Sequence, residues 1–309
     1  MTITYFEIIK FLDINKVTYE LKGEPLEQYL ISSIFSPIEN GFYFLTDHTK
    51  IIRELKSSLF LINENILPKD ENVFIVIEEN PQLVYYQLLD FYFKENSTGK
   101  ICDTVKIHEE AQIGKNVQID SFTVINKCII GDNTIIKSHC VINDNTSIGC
   151  EVLIEPHCNI GARGVAWIWD NKGGRILQPQ IGGVIIGNNT MIGSNSVIVR
   201  GSLNENTIVG ENTVIAPGAR LGHGSNLGKF SHLANNVVTG GNVIIHENCF
   251  IGSSVTLRPK VEIHPNTIIG AGALVIKNTT GKGFTLKGVP AKEYKSKKNS
   301  SGVPNFKRI

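Results

Sequence analysis

The sequence predicts a mainly β protein: a parallel β-helix of hexapeptide repeats, preceded by a small α/β domain and followed by a short tail. Three observations predict it. The first is an aliphatic residue at every sixth position from Val209, through Ile215, Leu221, Leu227, Leu233, Ile245, Ile251, Leu257, Ile263 and Ile269 to Val275, broken only by Thr239. The same period runs through Ile107, Ile113, Ile119 and Ile125, slips by one residue, continues from Ile130 to Ile160, and returns at Ile186, Ile192 and Ile198. The second is a series four residues behind the first, small or β-branched throughout: Thr134, Cys140, Thr146, Val152, Cys158, then Thr213, Ala219, Ser225, Ser231, Val237, Val243, Cys249, Val255, Val261, Thr267 and Ala273. The third is the company these keep: Gly commonly follows the aliphatic, and Asn and Asp crowd the remaining positions, the residue types that tolerate sharp corners and left-handed backbone.

A period of six fits neither a helix of 3.6 nor a simple alternating strand. It fits a coil with three faces, each one short strand and one corner, closing every 18 residues. Such a coil buries its aliphatics only by stacking on its neighbours, so stability belongs to the array. A sandwich of unrelated short strands, the competing reading, predicts irregular spacing.

The array spans 101–278 and is interrupted twice, at 161–185, which is rich in Gly and carries Trp167 and Trp169, and at 199–208. Insertions in repeat proteins map to loops, often on a binding face. Residues 1–100 lack the repeat. Tyr5, Ile8, Ile9 and Leu12 have helical spacing, 59–62 and 74–77 read as strands, and Asn80-Pro81 opens a helix reaching Phe93, with Asn as N-cap and Pro in the first turn. The segment 279–309 reads as a C-terminal tail, lysine-rich over 292–298.

Composition narrows the function classes. A formal charge of +1 over 309 residues, with no basic stripe before the last turns of the chain, argues against nucleic acid. No apolar run approaches the ~20 residues a membrane span needs. The first residues carry acids and lack a basic start followed by an apolar stretch, so no signal peptide is expected and the cytoplasm is the expected location. The six cysteines show no CxxC pair and no zinc spacing, and read as small buried hydrophobes. His139 with His157 and His246 with His264 are each one coil apart. Each pair offers two ligands and no evident third, so no metal site is expected.

Several segments resemble known hexapeptide-repeat N-acyltransferases. The runs 180–187 (QIGGVIIG), 192–203 (IGSNSVIVRGSL) and 221–224 (LGHG), with the order of domain, long loop and short loop, resemble the UDP-3-O-acylglucosamine N-acyltransferase of lipid A synthesis. The run 41–50 (GFYFLTDHTK) is similar to that family's uridine-contact segment, keeping Phe44 and carrying Asp47 and Lys50 where Asn and an aromatic are usual. The last third is more similar to the coenzyme A-dependent acetyltransferases of nucleotide-linked amino sugars, through 227–232 (LGKFSH), 248–253 (NCFIGS), 269–275 (IGAGALV) and 288–292 (GVPAK). These resemblances imply a left-handed coil, a homotrimer, and transfer of an acyl group from a thioester to the amine of a nucleotide-linked amino sugar of lipopolysaccharide or O-antigen type.

Forming an amide this way requires deprotonation of the amine, stabilisation of a tetrahedral oxyanion, and positioning. His223 lies two residues after inward Leu221 and should face outward. The resemblance assigns it the role of general base, which an imidazole can fill near neutrality. Gly241 follows 18 residues later, beside His223 by the coil spacing, and the resemblance makes it the oxyanion donor. Gly224 stands where the acetyltransferases carry an acid that orients the histidine, and Glu205 is the candidate to replace it. The acyl donor, an acyl-coenzyme A held as co-substrate rather than as a resident cofactor, is expected along the groove between prisms. It would meet His232, Gly252, Ser253, Gly270 and Ala271 along its arm, Val289 and Pro290 at the adenine, and Lys287 and Lys292 at phosphates. Phe44, Asp47, Trp167 and Trp169 are the candidates for the nucleotide sugar. Three alternatives stay open: the lipid A enzyme itself with an acyl carrier protein as donor, a zinc carbonic anhydrase, and a non-catalytic scaffold.

Overall fold

The computed structural model describes residues 1–46, 55–63 and 72–295. It divides into two compact units, Met1–Glu95 and the chain from Asn96 onward.

The first unit is a six-stranded sheet with two helices. Thr4 starts helix α1 (Tyr5–Ile14) through a complete capping box with Glu7. Asn80 caps helix α2 (Pro81–Phe93), its side chain accepting from the Gln82 and Leu83 N–H groups, with Pro81 in the first turn as the sequence predicts. The strands Gln28–Ile31, Gly41–Phe44, Leu59–Ile62 and Val73–Ile77 run parallel, and Thr2–Thr4 and Tyr19–Lys22 close the two edges antiparallel. Leu59–Ile62 is buried on both faces, which explains its unbroken apolar run. One face carries the helices, with Ile8, Leu12, Val84 and Leu88 in the core. The other buries Tyr43, Phe60 and Phe74.

Tyr85 is one of the buried titratable groups of this unit. Its hydroxyl donates to the Phe42 carbonyl at 3.2 Å, and burial pushes its pKa up to about 12. A raised folded-state pKa contributes stability that is fully present below the unfolded value of ~10 and disappears as pH climbs towards 12. Alkaline unfolding of this unit should therefore develop across that window and be displaced to higher pH in Tyr85→Phe. Circular dichroism followed alongside phenolate absorbance checks it; identical alkaline midpoints in the two proteins would refute it.

The second unit is a left-handed parallel β-helix. Among the described residues its three faces hold nine, eight and ten strands. The first face runs from Lys106–Ile107 to Leu274–Val275, the second from Gln112–Ile113 to Glu262–Ile263, and the third from Gln118–Ile119 through Ile268–Ile269. The ladder keeps its register except for a shift between Ile160 and Ala162: Ile130 pairs with Ile148, and Leu227 with Ile245. Ile130 also pairs with Ile113, which makes that coil one residue shorter and accounts for the slip in the repeat. The aliphatic series is buried from Ile119 onward, Ile107 and Ile113 in the first coil being exposed and half-buried, and the small residues of the second series are buried beside it. Removing each such aliphatic from water is worth ~1.5–3 kcal/mol, realised only because the next coil covers it. Asn133, Asn145, Asn189, Asn212, Asn236, Asn242 and Asn248 take the left-handed corner positions.

Three details differ from the sequence expectations. The segment after Thr279 is more than a tail: Phe284–Lys287 adds a further strand to the third face and Lys292–Lys295 folds back against it, burying Leu286. Cys150 is exposed and Cys102 half-buried, the other four cysteines being in the core. The long insertion contains a hairpin of its own, Trp167–Trp169 against Arg175–Leu177. Both histidine pairs do stack, with ring centroids 4.9 Å apart for His139–His157 and 5.8 Å for His246–His264. Among the described residues no group of three His, Cys, Asp or Glu side chains converges as a metal would need, and no helix is long and apolar enough to cross a membrane.

Candidate functional site

Both insertions leave the prism at the same corner, the one between the first and second faces. The long one connects Asn159–Ala162 to Gly183–Ile186, and there Ile148 pairs with Ile186, 38 residues on instead of 18. The short one connects Val197–Val199 to Asn206–Val209 one coil later, where Ile186 pairs with Val209. The next coil carries His223 at that corner and the next Gly241. Two coils that extrude chain thus lie directly before two coils that present an imidazole and a glycine.

The roots of both loops are tied by one buried cation. Arg200 is 6% exposed; its Nε–H donates to the Gly161 carbonyl at 2.9 Å, an Nη2–H donates to the Asp144 carbonyl at 2.5 Å, and its backbone N–H donates to Ala162 at 2.9 Å. The two loops also touch each other. Ile181 and Gly182 donate backbone hydrogen bonds to Ser202 and Gly201, and a Cβ on Gly182 would lie 2.3 Å from the Glu205 carbonyl oxygen.

His223 is held through both neighbouring N–H groups, its carbonyl and Nδ1, and among the described residues Nε2 has no hydrogen-bond partner. Gly222 N–H donates to Thr239 Oγ1 at 2.9 Å, Gly224 N–H donates to Thr207 Oγ1 at 2.9 Å, and Nδ1 of the ring lies 3.1 Å from Ser202 Oγ. Asn242 N–H donates to the His223 carbonyl at 2.7 Å. Gly224 has φ +64, a corner conformation glycine adopts freely. The opposite end of the ring meets Gly241: a Cβ there would sit 2.2 Å from Nε2 and 2.5 Å from Cε1. Gly241 is therefore required by the imidazole lying on its backbone. Among the described residues, its N–H meets no acceptor.

Glu205 does not take the place expected of it. Ser202, not Glu205, stands at Nδ1. Both carboxylate oxygens are occupied, Oε1 by the Ser202 N–H at 2.7 Å and Oε2 by the Leu203 N–H at 3.0 Å. The carboxyl is held below its ordinary range first by its own backbone N–H, then by those of Leu203 and Ser202, with a smaller attraction from His223. The physical reason is the short loop: it curls so that the acid closes the turn and the serine reaches the ring.

The remaining candidates fall into separate groups. His232 lies on the third face, edge-on to Phe250 at 5.1 Å, with burial lowering its pKa. Gly252 and Ser253 lie at the corner between the third and first faces. Gly270 and Ala271 stack one coil further on, so closely that a Cβ on Gly252 would be 2.6 Å from the Ala271 nitrogen. The terminal hairpin borders this corner: Gly270 and Leu274 donate to the Leu286 and Gly288 carbonyls. Val289 is exposed beside Pro290, and Lys287 and Lys292 face each other across the hairpin, with the Lys287 ammonium 4.5 Å from the Tyr294 ring centre. Within one chain these residues occupy a different edge of the prism from His223. Trp167 and Trp169 are exposed on the loop hairpin, their rings in a T-shaped contact at 5.0 Å. Phe44, in the first unit, packs against Tyr85 and Tyr86 at 5.2 and 5.8 Å. Asp47 and Lys50 lie outside the described residues.

Ser202, Thr207, Thr239 and Arg200 did not emerge from the sequence as site residues. Thr239 had a signal, as the single polar break in its aliphatic series. The others had none beyond their place in an insertion.

Comparison with known proteins gives the repeats their type. Residues 110–144 and 242–277 match the family described as bacterial transferase hexapeptide (six repeats), and 183–219 match the hexapeptide repeat of succinyl-transferase. The coils carry hexapeptide repeats. A UDP-N-acetylglucosamine acyltransferase from Francisella novicida superposes with a TM-score of 0.58 at 26% identity, over 63% of this chain and 70% of that one. The enzyme of that name from Bacteroides fragilis 9343 gives 0.57 at 26% identity, over 63% and 74%. That from Campylobacter jejuni gives 0.56 at 24%, over 63% and 74%, a likeness of fold. No curated protein sequence matches the chain.

Proposed function

We propose that this hexapeptide-repeat protein is an N-acyltransferase, moving an acyl group from a thioester to the amine of a nucleotide-linked amino sugar. The observation that carries the reading is the corner itself: an imidazole fixed at Nδ1, its Nε2 laid on the backbone of Gly241, directly after two loops that can wall a substrate. The transferase repeats and the two acyltransferase neighbours at 26% identity support acyl transfer as the class of chemistry.

In this reading the amine attacks the thioester carbonyl. A C–N bond forms, His223 Nε2 takes the amine proton, and the Gly241 N–H donates to the oxyanion. The C–S bond then breaks and the proton passes from Nε2 to the leaving thiolate. Base catalysis of this kind contributes ~10²–10⁴-fold, and one oxyanion donor ~10²–10³-fold. The donor is a short acyl-coenzyme A. Gly252, Ser253, Gly270, Ala271, Val289, Pro290, Lys287 and Lys292 line its path, with His232 near the acyl carbonyl. Because those residues stand on another edge of the prism, the reading requires a second copy of the chain to bring donor and base together, as a homotrimer does. The sugar falls to the Trp167–Trp169 hairpin.

A second reading has an observation of its own. The Francisella and Bacteroides enzymes act, by name, on UDP-N-acetylglucosamine, whose nitrogen is already acylated, which points to a hydroxyl acceptor. One assay separates the two. Thiol release is followed with UDP- and dTDP-linked amino sugars, using acetyl and longer donors on coenzyme A and on acyl carrier protein. The product is then treated with hydroxylamine. Release that depends on an amino sugar, with a product stable to hydroxylamine, is expected; a labile ester would establish the second reading. If no sugar nucleotide supports release, acyl transfer to sugars is excluded.

A further inference from the structure

We propose that Ser202 is the positioning residue for His223, a neutral hydroxyl doing what a carboxylate does in related chemistry, and that Glu205 acts on the ring only through Ser202. The kinetic part of this rests on the acyl-transfer reading; the part concerning the ring proton does not.

The argument starts from the two ends of the imidazole. Nε2 faces Gly241 and Nδ1 faces Ser202 Oγ. For Nε2 to accept a proton, the ring's own proton must be on Nδ1, so Nδ1–H donates to the serine oxygen. Which nitrogen of a histidine is protonated is set by the hydrogen bond at the other. Ser202 is 9% exposed and its bond to the ring is part-buried.

The sequence of the short loop explains how the serine comes to be available. Ser202-Leu203-Asn204-Glu205 has the Ser-x-x-Glu pattern of a helix capping box, in which the acid binds the serine N–H and the serine hydroxyl binds the N–H three residues on. Here only the first half is made. Glu205 Oε1 accepts from Ser202 N–H at 2.7 Å, no helix follows, and the hydroxyl turns to His223. The carboxylate thus fixes the serine backbone, and the serine side chain fixes the ring.

Two more hydroxyls complete the hold. In neighbouring coils the glycine after the inward aliphatic donates to a backbone carbonyl, as Gly228 does to Ile245 at 2.6 Å and Gly210 to Leu227 at 2.7 Å. At Gly222 that acceptor is the Thr239 hydroxyl instead. Thr207 Oγ1 accepts from Gly224 and donates to the Val199 carbonyl, linking the His223 turn to the root of the short loop. Residues 222, 223 and 224 are therefore each held by a Ser or Thr hydroxyl, and the one break in the aliphatic series is part of the set.

The test reads the ring first. In ¹⁵N–¹H spectra of the full chain, His223 should carry its proton on Nδ1 near neutral pH, and Ser202→Ala should lose that preference. An unchanged tautomer in a folded Ser202→Ala protein would overturn the proposal whether or not the chain transfers acyl groups. In the acyl-transfer assay Ser202→Ala should lower kcat by up to ~10²-fold, the scale of a small misplacement of a catalytic group, with KM little changed, and Ser202→Thr should restore most of it. A loss that threonine fails to restore would assign the effect to loop packing and also overturn it. Finally, Glu205→Ala added to Ser202→Ala should cost nothing further, since residues that act through one another are not additive. Additive losses would give Glu205 a role of its own. A wild-type chain with no transfer activity, but with the expected tautomer and its loss in Ser202→Ala, would refute the acyl-transfer reading and leave the positioning of His223 intact.

Discussion

Gly241→Ala is expected to abolish acyl transfer about as completely as His223→Ala, with a loss in kcat/KM on the order of 10²–10⁴-fold in each. The reason is geometric. The added methyl would occupy a point 2.2 Å from Nε2 and 2.7 Å from Cδ2. The ring cannot yield towards Ser202 without losing the bond at Nδ1, so it must swing away from the corner. The backbone at 241 is not in the left-handed region, and alanine is tolerated there as a conformation. The variant should thus fold, with a thermal midpoint near that of the parent, while the tautomer and chemical shifts of His223 change. The two substitutions should also fail to add, because each removes the same arrangement. A Gly241→Ala protein with parental kcat/KM would show that Nε2 does not work at this corner. If Gly241→Ala were instead unfolded, its loss of activity would count against the geometry, since alanine at 241 should meet only the imidazole.

Arg200→Met should have the largest effect on stability among single changes near the site. It leaves the buried Gly161 carbonyl and the part-buried Asp144 carbonyl without donors and takes away the tie between three successive coils. Hydrogen bonds from a charged donor are worth about 1.5–3 kcal/mol each, so losing both should cost roughly 3 kcal/mol or more. The loss should be local in a repeat array, where each coil touches only its neighbours. Hydrogen exchange should therefore accelerate over 163–182 and 200–206 first, and far less over 244–275. Arg200→Lys should not rescue it, because an ammonium lacks the fork that reaches two carbonyls at once. Unchanged protection of the long loop would remove Arg200 from its assigned role.

The array was legible because its physics is periodic. Ile136, Ile142 and Ile148 are inward for the same reason, and a single alternative register would expose them all. The capped helix from Asn80 was legible for a local reason, a side chain bonding the next two N–H groups. His223 and Gly241 were tied together by the coil length alone. What the sequence could not express was the path of chain that departs from the period. Ser202 and Glu205 stand in the same insertion, three residues apart, and nothing in their types says which one reaches the ring. That depended on the turn, where two backbone N–H groups take the carboxylate first. The edges of the first sheet, Thr2–Thr4 and Tyr19–Lys22, were equally silent, being half-polar strands without a strong alternation. The last rung of the third face was missed because Phe284–Lys287 follows a run of Gly, Lys and Thr that reads as loop.

The ladder also makes the molecule a ruler. Ile245 and Ile263 are partners on the second face, and each is followed by a histidine. Excising 246–263 would therefore join equivalent residues and preserve every inward position, while leaving His223, Gly241 and both loops untouched. The prism beyond the site would shorten by one strand spacing, ~4.8 Å. The axial distance from the imidazole to the terminal hairpin can consequently change only in whole coils. A chain of this design can be retuned for a longer or shorter ligand by copying or deleting a coil, with no redesign of the chemistry at its corner.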